Sequence, residues 1–219
     1  MIQKVLFWGD SITDGGRLKG RENQWDLNHQ IGHCYAYLIS AGLGFQYPRR
    51  DFRFFDRGVS GFRVSDLYAH LHEDVLPLRP DCVSILIGVN DCLQKFREGV
   101  GGSPEWFAQT YRLVLKELKK QLPGVSLILC EPFSLPVGDI GEDYSRWRAI
   151  LEPLQAALPK LAEETGAVFV PLQKPFEDAC KLRPASYWIW DGIHPTVSGH
   201  ALLAREWEKA ALPLLLSQR

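Results

Sequence analysis

A chain of 219 residues, 46% of them apolar and 23% charged, carries enough apolar side chains to bury the core of one large domain spanning residues 1–219. Its formal net charge of −1 supplies no basic field, which argues against nucleic acid or an anionic membrane as a partner. No apolar run reaches the length of a membrane span and the apolar start at Val5–Trp8 is too short for a secretory leader, so a cytoplasmic protein is the expectation.

Taken in chain order, "KVLFWG" (4–9), "FRFFDRG" (52–58), "CVSILIG" (82–88), "VSLILCEP" (125–132) and "AVFVPL" (167–172) read as strands. The third and fourth are nearly continuous apolar runs, as expected where helices cover both faces of a sheet. Helical patterns lie between them. Residues 64–76 are amphipathic, and residues 104–122 place Tyr111, Leu115, Leu118 and Leu122 on one stripe. Residues 143–165 do the same with Trp147, Ile150, Leu154, Leu158 and Leu161, although Pro153 and Pro159 predict a kink or a break. A closing helix from about Val197 to Leu216 carries Leu203, Trp207 and Ala211. Residues 15–30 show no period and are rich in Gly, Arg and Asn, the mark of a functional or a mobile loop. Five scattered cysteines (Cys34, Cys82, Cys92, Cys130, Cys180) form no C-x-x-C pair and read as reduced, buried thiols.

Strand–helix alternation predicts an α/β fold with a five-stranded, doubly wound parallel sheet in the order 2-1-3-4-5. Ligands in such sheets bind beyond the carboxyl ends of the strands, where strand order reverses. Three polar, glycine-bearing turns converge there: Gly9-Asp10-Ser11, Arg57-Gly58 and Gly88-Val89-Asn90-Asp91.

A serine hydroxyl needs a base, and the base needs a third group to fix its tautomer. Among the histidines, His70 and His72 lie in an amphipathic segment, and His29 and His33 flank a helix start. His194 differs, because "WDGIHPT" sets Asp191 three residues ahead of it in a glycine- and proline-bearing loop. The amides of Ser11 and Gly58 and the side-chain NH₂ of Asn90 are candidate donors to a developing oxyanion. His29 and His33 have i, i+4 spacing but no obvious carboxylate partner, and a serine mechanism needs neither metal nor cofactor. Asp10 is read as anchoring its turn.

As a set, Gly-Asp-Ser at 9–11, the glycine of "DRGVSG" at 58, "GVND" at 88–91 and "DGIH" at 191–194 resemble the four blocks of the SGNH (GDSL) serine hydrolases, in the family's order. The resemblance implies a flavodoxin-like three-layer α/β/α sandwich. It also implies Ser11 as nucleophile, His194 and Asp191 as base and orienter, and Ser11, Gly58 and Asn90 as the oxyanion hole. One departure is Asp56, where the family's block usually opens with Asn. Within the family, "FWGDSITDGGR", "VSILIGVND" and "WDGIHPTVSGHALLAR" are similar to bacterial carbohydrate acetyl esterases of the acetylxylan esterase branch. That similarity implies deacetylation of xylan or xylo-oligosaccharides, with short aryl or alkyl esters, thioesters or lysophospholipids as the alternatives and a non-catalytic carbohydrate-binding protein as a remote one. Trp190, Trp25 and Arg17 are candidate substrate contacts, Arg21 is a weaker one, and Trp188 reads as packing. The aromatic residues also leave homo-oligomerisation open.

Overall fold

In a computed structural model of the protein, residues 2–20 and 27–217 are described. Five strands form one parallel sheet: β1 (Lys4–Gly9), β2 (Arg53–Asp56), β3 (Cys82–Leu86), β4 (Ser126–Cys130) and β5 (Val168–Val170), in the order β2-β1-β3-β4-β5. The helices are α1 (Ser11–Asp14), α2 (Leu27–Gln30), α3 (Tyr35–Gln46), α4 (Val64–Asp74), α5 (Val89–Glu98) and α6 (Pro104–Gln121). They continue with α7 (Gly138–Gly141), α8 (Tyr144–Thr165), α9 (Gln173–Ala179), α10 (Ala185–Trp188) and α11 (Val197–Leu216). On one face α3 packs against α11; on the other α4, α6 and α8 pack in series. This is the sandwich that the strand–helix alternation predicts.

The central strands have no solvent face. Val5, Leu6, Phe7 and Trp8 are consecutive and fully buried, and every residue of β3 is buried. Burying each large apolar side chain contributes roughly 1.5–3 kcal/mol, so these continuous runs are the main source of stability. The one hydroxyl in β3, Ser84, accepts from Trp207 Nε1 of α11 at 2.8 Å, which satisfies two polar groups inside the core. Cys34, Cys82, Cys92 and Cys130 are buried free thiols whose pKa burial raises; Cys180 is only partly buried.

One expectation fails. α8 runs through Pro153 and Pro159 without a break. Both prolines lie on the exposed face, while Trp147, Leu151, Leu154, Leu158 and Leu161 stay buried and hold the helix in place by packing. The buried stripe therefore uses Leu151 in place of Ile150.

Register sets where the strands end. Gly9 of β1 pairs with Leu86 of β3, and Phe7 with Asp56 of β2. The chain thus leaves β1, β2 and β3 at one edge, on either side of the point where strand order reverses. Across the 15–30 segment, Leu18 N–H donates to His29 O at 2.6 Å. Among the described residues no helix is long and apolar enough to cross a membrane.

Candidate active site

Asp10 is the N-cap of α1, and its Oδ1 accepts the Ile12 N–H at 3.0 Å. That cap turns the chain sharply at the end of β1 and makes Ser11 the first helical residue. Ser11 Oγ lies 2.7 Å from Nε2 of His194, which is 183 residues away in sequence. Nδ1 of His194 lies 2.6 Å from Oδ2 of Asp191. The other Asp191 oxygen accepts the backbone N–H groups of Ile193 (3.1 Å) and His194 (2.8 Å). One carboxylate therefore shapes the loop and orients the imidazole it carries. With Asp191 as acceptor the proton sits on Nδ1, leaving the Nε2 lone pair for the Ser11 hydroxyl. Leu135 N–H donates to Gly192 O at 3.0 Å and ties this loop to the segment after β4.

Candidate donors come from three segments. The Ser11 amide is at the first helical position, where no preceding turn offers an acceptor. Asn90 Nδ2 gives one hydrogen to Phe62 O at 3.0 Å and keeps a second. Val59 to Phe62 form a tight turn closed by Phe62 N–H to Val59 O at 3.1 Å. Gly61 is its third residue, at φ 88°, the conformation glycine supplies in a type II turn. The Gly61 N–H takes no part in closing that turn, and the space over its Cα is open.

Comparison with known proteins gives this geometry a family. The GDSL-like Lipase/Acylhydrolase family matches residues 7–202. An acetylxylan esterase of Geobacillus stearothermophilus is 32% identical over 205 residues, which cover 93% of this chain and 91% of that protein. The chain belongs to the GDSL-like lipase/acylhydrolase family. It is a carboxylic ester hydrolase.

Solved structures agree with that membership. A protein of Parabacteroides merdae described as a GDSL-like lipase is 37% identical, with a TM-score of 0.89 over 94% of both chains. The Geobacillus acetylxylan esterase, Axe2, superposes with a TM-score of 0.83 over 94% of this chain and 93% of its own. Variants of Axe2 described as catalytic mutants replace a serine and an aspartate with alanine.

Electrostatics in this GDSL hydrolase divide the buried acids by task. The hydrogen bond that His194 donates to Asp191 raises the His194 pKa above its ordinary value; partial burial opposes it, and the charges of Asp191 and Asp10 add to it. Burial works to raise the Asp191 carboxyl, but hydrogen bonds from the His194 ring and from the His194 and Ile193 amides outweigh it and hold the group below the usual range. Asp10 is fully buried, and desolvation pushes it up to about 7 against the Ile12 N–H and the charge of His194. Its unpaired Oδ2 and its capping bond fit a turn anchor. His200, partly buried with Nδ1 accepting from the Tyr35 amide at 3.2 Å, is pushed down by desolvation to about 4 and stays neutral.

Two of the residues singled out in the sequence have other work. Gly58 N–H donates to Asp56 Oδ1 at 2.7 Å in a buried Asx-turn, so it is not available to an oxyanion. A Cβ at Gly58 would lie 2.2 Å from the Asp14 amide nitrogen; glycine is there to let β2's exit pack on α1. Gly61 lies three residues on, and its N–H is not the one that closes the Val59–Phe62 turn. The D-x-G spacing of "DRG" is itself an Asx-turn signature, and the S-G pair after it marks the second turn. Arg17 is buried, with Nε donating to Gly58 O at 3.2 Å and lying 3.6 Å from Asp56 Oδ1. It holds that loop from beneath rather than meeting substrate. Trp190 is 64% exposed and lies nearly parallel to the His194 ring, centroids 5.7 Å apart. Trp188 donates Nε1–H to Ala179 O and packs the loop. Trp25 and Arg21 lie outside the described residues.

Proposed function

We propose that this hydrolase removes acetyl groups from carbohydrate, on xylo-oligosaccharides or a closely related sugar ester, through an acyl-enzyme on Ser11. The observation that carries the mechanism is the continuous Ser11–His194–Asp191 relay, at 2.7 and 2.6 Å. His194 Nε2 takes the Ser11 proton as Oγ attacks the ester carbonyl, and the new charge on the carbonyl oxygen is met by N–H groups of Ser11, Gly61 and Asn90. His194 then returns the proton to the leaving sugar oxygen. A water molecule, deprotonated by the same nitrogen, hydrolyses the acetyl-serine.

Similarity to an acetylxylan esterase along nearly the whole chain supports the substrate. Trp190 supports it too, because its exposed indole lies nearly parallel to the imidazole that protonates the leaving oxygen and offers a stacking face for a sugar ring. Acetate release from acetylated xylo-oligosaccharides, set beside hydrolysis of p-nitrophenyl acetate and p-nitrophenyl octanoate, tests the reading. Release from the sugar with the octanoate poorly cleaved is expected. Efficient octanoate cleavage with no acetate released from sugar contradicts it.

A further inference from the structure

A shallow basin of about 230 Å³ opens beside the donors, between the Gly61 turn and the outer face of α5. Gly61 and Asn90 form its inner wall, and Arg63, Leu93, Gln94 and Arg97 line the rest. It is coupled to the site on its far side as well. Arg97 reaches across to Asp139 of α7 at 3.3 Å, and the next residue back, Gly138, packs so closely on the catalytic loop that a Cβ there would sit 2.5 Å from Asp191 O. The basin therefore lies between the oxyanion donors and the short helix that backs the orienting acid.

Its chemistry selects what can enter. Arg63 donates to Gln94 Oε1 at 2.6 Å and lies 3.6 Å from Asp66, Arg97 is paired with Asp139, and Glu98 stands at the rim. Two guanidinium groups set against three carboxylates give no net attraction for an anion. Leu93 alone offers apolar surface, too little for an acyl chain. What remains is a close alternation of hydrogen-bond donors and acceptors, with Arg63 and Arg97 both partly open to solvent at 39% and 56% of their side-chain surface. Sugar hydroxyls both donate and accept, and match such an array.

We infer that this basin is a second sugar subsite, holding the ring next to the acetylated one; the inference rests on the carbohydrate-ester reading above. Gln94→Ala and Arg97→Gln, each checked for native melting behaviour, are to be compared with wild type on acetylated xylotriose and on p-nitrophenyl acetate. The ratio of kcat/KM between the two substrates is expected to fall about tenfold in each variant, mainly through KM, as hydrogen bonds to the neighbouring ring are lost. Asp139→Asn, which breaks the Arg97 ion pair but keeps the guanidinium, is expected to hold the wild-type ratio. An unchanged ratio in Gln94→Ala and Arg97→Gln, with acetylated xylotriose still a good substrate of wild type, overturns the subsite and leaves the function standing. A parallel loss on both substrates also overturns it, since the effect is then on the catalytic assembly. Wild type that cleaves p-nitrophenyl acetate but not the acetylated sugar overturns the sugar reading and the subsite together.

Discussion

In the proposed mechanism His194 has to be neutral to take the Ser11 proton, and its hydrogen bond to Asp191 makes that harder at acid pH by raising its pKa. The acid limb of kcat/KM is therefore expected above the ordinary histidine value of about 6.5. Asp191→Asn removes the bond and the charge, so the limb should move to lower pH while turnover falls by about 10³- to 10⁴-fold, the scale on which a base loses its tautomer-fixing acid. A pH–rate series on both proteins checks this; a limb that stays in place contradicts the assigned partner. Asn90→Ala should lower kcat by about 10²- to 10³-fold with little change in KM, because its free N–H acts only as charge builds on the carbonyl oxygen. Steady-state kinetics on p-nitrophenyl acetate report it. Residue types at close spacing were readable in the sequence: Asp191 and His194 are three residues apart and their loop chemistry is local. The proposed donor glycine was not, because choosing between Gly58 and Gly61 depends on whether the Asp56 carboxylate folds back on the amide two residues ahead.

Short elements hold the reacting groups, and their caps carry more than their length suggests. Thr196, which follows the His194-Pro195 pair, is the N-cap of α11: its Oγ1 accepts the Gly199 N–H at 3.2 Å and donates to Tyr187 O at 2.6 Å. Thr196→Ala is expected to cost about 1 kcal/mol of stability, seen as a lower urea midpoint at constant m-value. Turnover should fall with it as the histidine loop loses its anchor to α10. Strand positions were legible because β3 and β4 are nearly continuous apolar runs and the others carry short apolar clusters, and α11 because its apolar positions recur on one stripe. α8 was harder to read. Proline in its sequence signals a break, and only the placement of Pro153 and Pro159 on the solvent side, invisible without the packing of Trp147 and Leu158, shows why the helix persists.

At the scale of the whole molecule, sheet order decides where chemistry is possible. The parallel order β2-β1-β3-β4-β5 sends the chain out of β1, β2 and β3 at one edge. The serine at the start of the chain and the histidine near its end then come within 2.7 Å of one another. That convergence was legible in the sequence as a pattern of strand ends, whereas Arg17, an arginine in a polar loop, gave no local sign that it would be buried beneath Gly58. The measurement that tests the account most directly is covalent labelling with diethyl p-nitrophenyl phosphate, followed by intact-mass and peptide analysis. A single phosphoryl adduct on Ser11, appearing in step with loss of esterase activity and absent from Ser11→Ala, is the expected result. An adduct on any other residue, or full inactivation with Ser11 unmodified, would contradict it.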